Sequence, residues 1–439
     1  MTNKHLSPPQ LMVLGFMGAI LVGSILLTTP WAVRQGNPDF LTSLFTATSA
    51  VCVTGLVVVD TGTHWTAFGQ TVILLLIQIG GLGIMSFATF FALLLGKKIQ
   101  FRQRIAMQQA IGKTSVQGIV DIFRYLLIVS FSIEIIGAII LALHWIPDMG
   151  AGKAAWYGLF HSISAFNSCG MDLFGDFRSL TGYTGDILVN LVITSIIVIG
   201  GLGFLVLYEL YHYRQSHSLS LHSRVVLLTT LVLIITGTLA IFILEYHNSL
   251  NHLSPGVKLM SAYFQSVSPR GAGFNTIDLN SMLLPTQLLV IVLMFIGGSP
   301  GSTAGGIKTS TFALMLAAIL CLLRGKRDTE IFRRRIPYSD VLSGLSIILL
   351  AGMTVFLVAG LLSLTNNYDF IWLLFESASA FGTSGPTLGL TPNLDSWGRI
   401  VIIITMFTGR LGPLTIGYAL AYKQKQPDIA YPEGRIIVG

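Results

Sequence analysis

The chain has 439 residues, of which 53% are hydrophobic and only 10% are charged. A soluble domain carries about a quarter charged residues, so this composition excludes a chain made only of soluble domains and predicts a membrane protein. The formal net charge is +7. Because the basic residues cluster between apolar segments, membrane topology explains this charge and we expect no nucleic-acid partner. The three cysteines, Cys52, Cys169 and Cys321, have neither a disulfide spacing nor a metal-site spacing.

Eight apolar segments are long enough to cross a bilayer, which takes about 20 residues. In chain order they are 11–28, 70–95, 125–146, 187–208, 225–244, 282–323, 341–365 and 400–407 continued by 411–422. The first segment is too long for a signal peptide and lacks a clear small-residue cleavage site, so we expect it to remain as a helix.

A short Ser/Thr-rich hairpin lies between the two segments of each successive pair. Each hairpin begins with Phe-x-Ser/Ala-x-Ser and ends in Gly, and the four run from Phe45 to Gly55, Phe160 to Gly170, Phe264 to Gly273 and Phe375 to Gly385. These hairpins are too short and too polar to cross the membrane, so they are predicted to re-enter it, where protein or water must line them. Such an internal repeat indicates the architecture directly.

The repeat predicts an all-α membrane protein of four tandem M1–pore loop–M2 repeats, with eight transmembrane helices around one central pore. The predicted bounds are 1–98, 99–216, 217–330 with an intramembrane gate loop at 297–310, 331–425, and a C-terminal tail at 426–439. Basic residues between the repeats predict that these loops and both termini are cytoplasmic, so that the hairpins enter from outside. The basic residues are Lys97, Lys98, Arg102, Arg104, Lys113, Arg214, Arg224, Arg324, Lys326, Arg327, Arg333, Arg334 and Arg335.

The hairpin chemistry suits a cation filter. A dehydrated cation needs oxygen ligands, which rings of backbone carbonyls supply. Glycine reaches unusual backbone angles and leaves the axis open, and the carbonyl end of a short pore helix favours a cation. The candidate filter residues are Val53, Thr54, Gly55, Ser168, Cys169, Gly170, Gly271, Ala272, Gly273, Thr383, Ser384 and Gly385. The alternative is a set of four ordinary external loops, but the matched spacing favours the filter.

A Gly/Ser-rich stretch interrupts the sixth apolar segment. It fits the nucleophile pattern G-x-S-x-G, but it lacks the flanking strand and the triad partners. It also approaches a phosphate-binding P-loop, but Ile307 separates Gly306 from Lys308 and breaks the spacing. We therefore predict an unwound loop that obstructs the pore below the filter. The candidate gate residues are Gly297, Gly298, Ser299, Gly301, Ser302, Thr303, Gly305, Gly306, Lys308 and Arg410.

Charges inside apolar segments mark candidate functional residues. Arg410 is predicted to form an electrostatic barrier and to contact the gate loop; the alternative is a structural arginine in a helix interface. Arg270 is expected to point sideways, with Glu376 as a plausible partner. Glu134 is predicted to be a buried, hydrogen-bonded carboxylate with a packing role rather than a transport role. Gly80 and Gly200 are expected to allow close helix packing.

Several segments resemble the Trk/Ktr/HKT superfamily of potassium transporters over essentially the whole chain. They are TATSAVCVTGL, SISAFNSCGM, QSVSPRGAGFNTIDL, SAFGTSGPTLGLTP, GKKIQFRQR, FIGGSPGSTAGGIKTSTF, RGKRDTEIFRR and MFTGRLGPLT. With eight spans and the tail YPEGRIIVG, the chain looks closest to the Ktr-type membrane subunit (KtrB). The resemblance implies potassium uptake through Gly55, Gly170, Gly273 and Gly385, with K⁺ as the permeant ion and Na⁺ as a possible modulator. It also implies a homodimer in a bacterial plasma membrane, with a cytosolic KtrA-type ring of RCK domains that binds the nucleotide.

Two loops depart from the usual family pattern, since NSCG stands where NNAG is common and RGAG where RTAG is usual. Gly55 favours potassium, because sodium-preferring relatives often carry Ser there. The alternative function is a secondary ion-coupled transporter with a different cation preference. Such a protein would have inverted repeats and midplane carboxylates, whereas these repeats are parallel and midplane acids are scarce. An intramembrane enzyme is disfavoured, because the spans lack a convincing catalytic set.

Overall fold

The computed structural model describes residues 8–34, 36, 39–83 and 119–412. Four times in this part of the chain, a long first helix is followed by a shorter pore helix and then by a second helix. The first repeat consists of α1 (Pro8–Leu27), α2 (Phe40–Val51), the single turn α3 (Thr61–His64) and α4 (Ala67–Leu82). The second consists of α5 (Ile119–Met149), α6 (Ala151–Phe166), the 3₁₀ turn Thr181–Tyr183, α7 (Ile187–Gly201), α8 (Phe204–Tyr211) and α9 (Tyr213–Ser216).

The third and fourth repeats follow the same order. The third consists of α10 (Leu221–Glu245), α11 (Pro255–Val267), the 3₁₀ turns Ser268–Arg270 and Leu279–Ser281, α12 (Leu284–Phe295) and α13 (Thr309–Leu323). A small antiparallel hairpin of β1 (Glu330–Ile331) and β2 (Arg334–Arg335) connects it to the fourth repeat. The fourth consists of α14 (Tyr338–Leu362), α15 (Phe370–Gly382), the 3₁₀ turn Thr391–Asn393 and α16 (Ser396–Leu411).

Four described helices, one at the start of each repeat, are long and apolar enough to cross a membrane, and a fifth span results if the bent pair α7–α8 is counted as one. These first helices expose large apolar side chains such as Ile25, Leu143, Ile243 and Met353. So much exposed apolar surface suits contact with lipid. The pore helices α2, α6, α11 and α15 are 12 to 16 residues long, too short to span, as the sequence predicted.

The second helices are less regular than the sequence indicated. The pair α7–α8 is bent by 100°, and the chain from 296 to 308 separates α12 from α13. The last predicted span was interrupted at residues 408–410, whereas α16 continues through these residues without a break to Leu411. The remaining parts of the predicted spans 70–95 and 411–422 lie outside the described residues, as do both termini and the basic residues Lys97, Lys98, Arg102, Arg104 and Lys113.

Aspartate side chains begin several helices at the predicted external side. Asp39 accepts hydrogen bonds from the backbone N–H groups of Leu41 (3.3 Å) and Thr42 (3.0 Å) at the start of α2. Asp395 caps α16 through the N–H of Gly398 (2.8 Å), and this hydrogen bond lowers the pKa of the Asp395 carboxyl. Such caps satisfy N–H groups that have no partner within the helix.

The core lies between the pore helices and the helices that surround them. The phenylalanine that opens each hairpin motif is almost fully buried, at 0% exposure for Phe45, Phe160 and Phe264 and 1% for Phe375. Glycines on the second helices allow close approach to the pore helices. A Cβ atom at Gly80, Gly200 or Gly409 would overlap the carbonyl oxygen of Val51, Phe166 or Phe381, respectively, at or next to the carboxyl end of the pore helix in the same repeat. The expected role of Gly80 and Gly200 in close packing is confirmed.

We expect Gly409→Ala to destabilise the protein by about 1–3 kcal/mol, because the added methyl group must push α16 away from the backbone of α15. Gly360→Ala in α14 is the matched control, since nothing lies within 4 Å of its added Cβ. Alanine has the higher helix propensity, so the control should unfold no earlier than the parent protein. Thermal unfolding of the detergent-solubilised protein checks both variants, and equal stability of Gly409→Ala and the parent would contradict the packing argument.

Candidate functional site

The four hairpins meet in a closed ring at their final glycines. A Cβ atom at Gly55 or Gly170 would overlap the carbonyl oxygen of Cys169 or Ala272 in the next loop. A Cβ atom at Gly273 would lie 2.7 Å from the oxygen of Ser384, and one at Gly385 would lie 2.6 Å from the oxygen of Thr54. Each glycine therefore faces the residue before the glycine of the following loop, and the fourth loop returns to the first.

The backbone at the ring is unusual in the same way in the four loops. Gly55, Gly170, Gly273 and Gly385 have φ angles of 86°, 80°, 74° and 93°. Two positions earlier, Val53, Ser168 and Thr383 also have positive φ angles, of 55°, 60° and 46°. Positive φ is costly for a side-chain-bearing residue, so three such residues at matched positions indicate a conformation that the surroundings impose. The third loop differs, because Gly271 has a φ of 165°.

A serine in each pore helix or its 3₁₀ extension fixes the loop. The serine is the last residue of each Phe-x-Ser/Ala-x-Ser motif, and its carbonyl oxygen accepts a hydrogen bond from the N–H of the residue before the hairpin glycine. The pairs are Ser49 with Thr54 (2.8 Å), Ser164 with Cys169 (2.8 Å), Ser268 with Ala272 (2.8 Å) and Ser379 with Ser384 (3.1 Å). In loops 2 and 3 the serine hydroxyl also donates a hydrogen bond to the backbone oxygen of the residue after the glycine. Ser164 donates to Met171 (2.8 Å) and Ser268 to Phe274 (2.5 Å). The repeated serine was visible in the sequence, but its role was not.

A cavity of about 450 Å³ opens beside the ring and is lined by all four glycines and by the residues that follow them. Asp172 and Asp278 line this cavity together with Asn275 and Asn393. Carboxylates around a narrow entrance concentrate cations from solution. Sequence reasoning missed these two aspartates, whose only signal was that each follows a hairpin glycine within a few residues.

The stretch 296–308 is non-helical, and the bend between α7 and α8 holds it in place. The N–H of Ser299 binds the oxygen of Gly201 (3.0 Å), the N–H of Thr303 binds the oxygen of Gly200 (3.3 Å), and the N–H of Phe204 binds the oxygen of Gly301 (2.9 Å). A break in a helix leaves backbone groups unpaired, and inside a membrane they must find partners. The loop supplies those partners, so the bend and the loop depend on each other.

The same loop contacts candidate filter residues. The hydroxyl of Thr303 lies 2.8 Å from that of Ser168 and donates to the oxygen of Phe166 at 3.0 Å. A Cβ atom at Gly305 would overlap the hydroxyl of Thr383. The loop therefore touches Ser168 and Thr383, the first candidate filter residues of loops 2 and 4.

The other candidate gate residues hold the loop itself together. A Cβ atom at Gly297 would overlap the oxygen of Gly305, so the two limbs of the loop touch. The hydroxyl of Ser299 lies 2.9 Å from that of Thr309, and Lys308 Nζ donates to the oxygen of Ala304 at 2.8 Å. The remaining members lie in the same loop: Gly298 is buried, Gly301 and Gly306 have positive φ angles of 66° and 67°, and the half-buried Ser302 has a hydroxyl without a partner among the described residues.

Arg410 reaches from α16 to the loop. Its guanidinium donates to the backbone oxygens of Thr303 in the loop and of Gly80 in α4, and to that of Gly81 at 3.3 Å. The expected contact with the gate loop is thus present. The guanidinium joins the fourth repeat to the first and the third by hydrogen bonds to carbonyl groups, the kind of partner that its planar donors suit.

The other buried charges have different surroundings from those expected. Arg270 is 9% exposed and lines a small cavity of about 20 Å³ together with Ile197 and Val198 and with the candidate filter residues Ser168 and Gly271. It has no hydrogen-bond partner in the described part of the chain. The suggested pairing with Glu376 is wrong, because Glu376 accepts hydrogen bonds from Thr387 (2.7 Å) and Thr391.

Glu134 is a buried, hydrogen-bonded carboxylate, as predicted. Its oxygens accept from Gln78 Nε2 (3.0 Å to each oxygen) and from Asn167 Nδ2 (2.8 Å). These partners belong to α4 and to the residue that ends α6. The network therefore links the first two repeats just before Ser168, the first candidate filter residue of loop 2. Cys52 and Cys169 are both buried and free.

The comparisons with known proteins all point to one family of cation transport proteins. The family model described as "TrkH: Cation transport protein" matches residues 17–430. The chain is 44% identical to the Ktr system potassium uptake protein B of Bacillus subtilis (strain 168), covering 99% of this chain and 97% of the relative. It is 38% identical to the protein of the same name from Vibrio alginolyticus, covering 98% of this chain and 95% of the relative.

Two further similarities support this assignment. The potassium/sodium uptake protein NtpJ of Enterococcus hirae is 38% identical, covering 100% of this chain and 98% of the relative. The crystal structure of the potassium transporter TrkH from Vibrio parahaemolyticus shares the fold, with a TM-score of 0.76 and 20% identity over 96% of this chain and 86% of that chain. The chain therefore belongs to the TrkH family of cation transport proteins and is an all-α membrane transporter rather than an enzyme.

Proposed function

We propose that this transporter takes up potassium across the bacterial plasma membrane through a filter formed by the four hairpins. The observation that carries the proposal is the closed ring, in which each glycine faces a backbone carbonyl of the next loop. Relatives that are similar over their whole length are named potassium uptake proteins. A ring of backbone carbonyls can replace the hydration shell of a cation that leaves water.

The filter in this proposal uses the three residues that end each hairpin. The ligands are backbone oxygens of Val53–Gly55, Ser168–Gly170, Gly271–Gly273 and Thr383–Gly385. The hydroxyls of Thr54 and Thr383 are buried without a hydrogen-bond partner among the described residues, so they are available near the ion path. Because backbone oxygens do the binding, Cys52 and Cys169 are compatible with a cation filter.

The loop 297–310 and Arg410 form the gate in this proposal. The loop contacts filter segments 2 and 4, and the guanidinium holds it against α4. A positive charge beside the path raises the barrier to a cation, and its hydrogen bonds keep the loop in the obstructing position. Opening then requires that these hydrogen bonds break or move.

Regulation comes from a cytosolic partner in this proposal. In this proposal the four repeats are bounded at 98, 216, 330 and 425, and the loops between them and both termini lie in the cytoplasm, as the positions of the basic residues favour. A KtrA-type ring of RCK domains binds the nucleotide, two copies of this chain form a homodimer with one pore each, and Na⁺ modulates uptake. The name of the Enterococcus relative, a potassium/sodium uptake protein, supports the part given to Na⁺.

We expect a potassium-uptake-deficient bacterium to grow at low potassium when it expresses this chain, and Gly55→Ser to lower the preference for K⁺ over Na⁺. The added hydroxymethyl group would overlap the oxygen of Cys169 at a residue whose φ is 86°. A displacement that costs about 1.4 kcal/mol of selectivity changes the preference roughly tenfold. Competitive uptake of K⁺ and Na⁺ measures it.

Gly182→Ser is the matched control, because Gly182 lies in an external turn with nothing within 4 Å of the added Cβ. The control should keep the parent preference. No growth or uptake with the parent chain, alone or together with a KtrA-type partner, would contradict potassium uptake. Unchanged selectivity in both Gly55→Ser and Gly273→Ser would contradict the filter.

We expect Arg410→Ala to increase potassium flux, because it removes both the charge and the hydrogen bonds that hold the loop. A hydrogen bond from a charged group contributes about 1.5–3 kcal/mol, so losing one raises the open population roughly tenfold or more. Arg410→Lys should be intermediate, since it keeps the charge without the planar fork of donors. Deleting residues 299–305 should also raise flux, and Arg410→Ala should add little to that deletion.

The control for Arg410 is Arg399→Ala on the same helix, whose side chain binds the oxygen of Leu394 (3.0 Å) and does not contact the loop. This control should not raise flux. Flux at equal protein level and thermal stability in detergent are measured together. Lower flux together with lower stability in Arg410→Ala would assign Arg410 to the scaffold and contradict its part in the gate.

We expect charge reversal at Arg333, Arg334 and Arg335 to weaken co-purification of a KtrA-type ring without preventing membrane insertion. These residues are exposed in and before β2, where Arg335 pairs with Asp328 at 3.0 Å. Lys326→Glu is the comparison, because Lys326 is already paired with Glu330 at 2.5 Å and offers less free charge. Unchanged binding after the triple reversal would leave these residues with a role in topology alone.

A further inference from the structure

The second position of the hairpin motif is polar in all four pore helices. The residues that follow the motif phenylalanines are Thr46, His161, Gln265 and Glu376, and their exposures are 1%, 0%, 1% and 0%. A buried polar side chain is unfavourable unless it forms hydrogen bonds. Four of them at one matched position around the filter therefore need an explanation beyond packing.

Glu376 has the strongest contacts of the four. Its Oε2 accepts a hydrogen bond from the hydroxyl of Thr387 at 2.7 Å, and its Oε1 accepts one from the hydroxyl of Thr391. The N–H of Gly389 donates to the Thr387 hydroxyl at 3.1 Å. Thr387 is the second residue after the filter glycine Gly385 and lines the cavity beside the ring. The carboxylate thus connects the pore helix to the chain that leaves the filter.

His161 occupies the same position in the repeat that lies diagonally across the ring. The N–H of Leu173, three residues after Gly170, donates to His161 Nε2 at 3.4 Å. His161 Nδ1 lies 2.7 Å from the oxygen of Tyr157. A proton on Nδ1 satisfies both contacts, because Nδ1 can then donate and Nε2 accept. In repeats 1 and 3, the Thr46 hydroxyl and Gln265 Nε2 have no partner in the described part of the chain.

Beyond its glycine, loop 4 is held by Glu376 rather than by the motif serine. In loops 2 and 3, serine hydroxyls bind the residue after the filter glycine. The corresponding hydroxyls of Ser49 in loop 1 and Ser379 in loop 4 have no partner among the described residues, and of these two loops it is loop 4 whose second motif residue binds beyond the glycine. Glu376 supplies the missing connection for loop 4.

We propose that Glu376 is a positioning residue that fixes the outer end of filter loop 4 through Thr387 and Thr391 and thereby sets the preference for K⁺ over Na⁺. This inference rests on the potassium filter proposed above. Carbonyl ligands discriminate between ions by their number and placement. Loop 4 supplies one of the four segments of the ring, and its Gly385 faces the carbonyl of Thr54 in loop 1. Displacing the outer end of loop 4 therefore shifts its own carbonyl groups and disturbs the contact with loop 1.

The test compares Glu376→Ala with Glu376→Gln in competitive K⁺ and Na⁺ uptake. Glu376→Ala removes both hydrogen bonds and should lower the K⁺ preference about tenfold. Glu376→Gln should keep most of the preference, because an amide of nearly the same shape can pair with both threonine hydroxyls. Thr391→Val, which removes one of the bonds from the other side, should lower the preference and should add little to Glu376→Ala.

Ser377→Ala is the matched control on the same helix, since its buried hydroxyl binds only the oxygen of Leu373 in its own helix, at 2.7 Å. It should keep the parent preference. If Glu376→Ala does not accumulate in the membrane, Thr387→Val combined with Thr391→Val tests the same connection while the carboxylate remains.

The outcomes separate the two proposals. If the parent chain prefers K⁺ and either Glu376→Ala or the double threonine variant keeps that preference, the positioning role of Glu376 is overturned while the proposed function stands. The positioning role is also overturned if Glu376→Gln loses as much K⁺ preference as Glu376→Ala and both lose thermal stability in parallel. Glu376 is then only part of the scaffold. A parent chain without K⁺ uptake overturns the proposed function itself.

Discussion

The structure depends on one steric constraint, the approach of backbone to backbone where the four hairpins meet. Each of the four hairpin glycines stands where a Cβ atom would lie 2.7 Å or less from a carbonyl oxygen of the next loop, so a side chain there must displace the neighbouring backbone. The same constraint recurs one layer out, where glycines of the second helices rest on carbonyl oxygens at the ends of three pore helices. Close packing through small residues is the usual basis of helix association in membranes, where apolar surface alone gives no preference for protein over lipid.

A second requirement, that every backbone group within a membrane must find a partner, explains the irregular parts. The bend between α7 and α8 and the non-helical stretch 296–308 would each be costly alone. Together they satisfy each other through Gly200, Gly201 and Gly301, and Arg410 adds donors for further carbonyl groups. The stretch 296–308, the bend between α7 and α8, and Arg410 are therefore parts of one hydrogen-bonded unit.

Much of this arrangement could be predicted from the sequence, because the repeat appears in residue types whose physical roles are specific. The four glycines, the short pore helices and the glycines at 80 and 200 required only spacing and sterics. Contacts between distant parts of the chain could not be predicted in this way. Nothing in the sequence indicates that Glu376 accepts from Thr387 and Thr391 rather than pairing with Arg270, since a buried carboxylate can be satisfied by hydroxyls as well as by a cation. The bend of α7–α8 was also missed, because its apolar composition is that of one continuous span.

The ring closes between the first and last repeats, where Gly385 faces Thr54, and Arg410 reaches Gly80 across 330 positions of the chain. The contact with Thr54 needs the fourth loop and the contact with Gly80 needs α16, so both can form only after the fourth repeat has been synthesised and inserted. A nascent chain with three repeats in the membrane therefore has an open side, with the backbone of its first and third loops uncovered. The fourth loop therefore completes the ring, Arg410 on α16 joins the fourth repeat to the first and the third, and a chain that ends after the third repeat has neither contact.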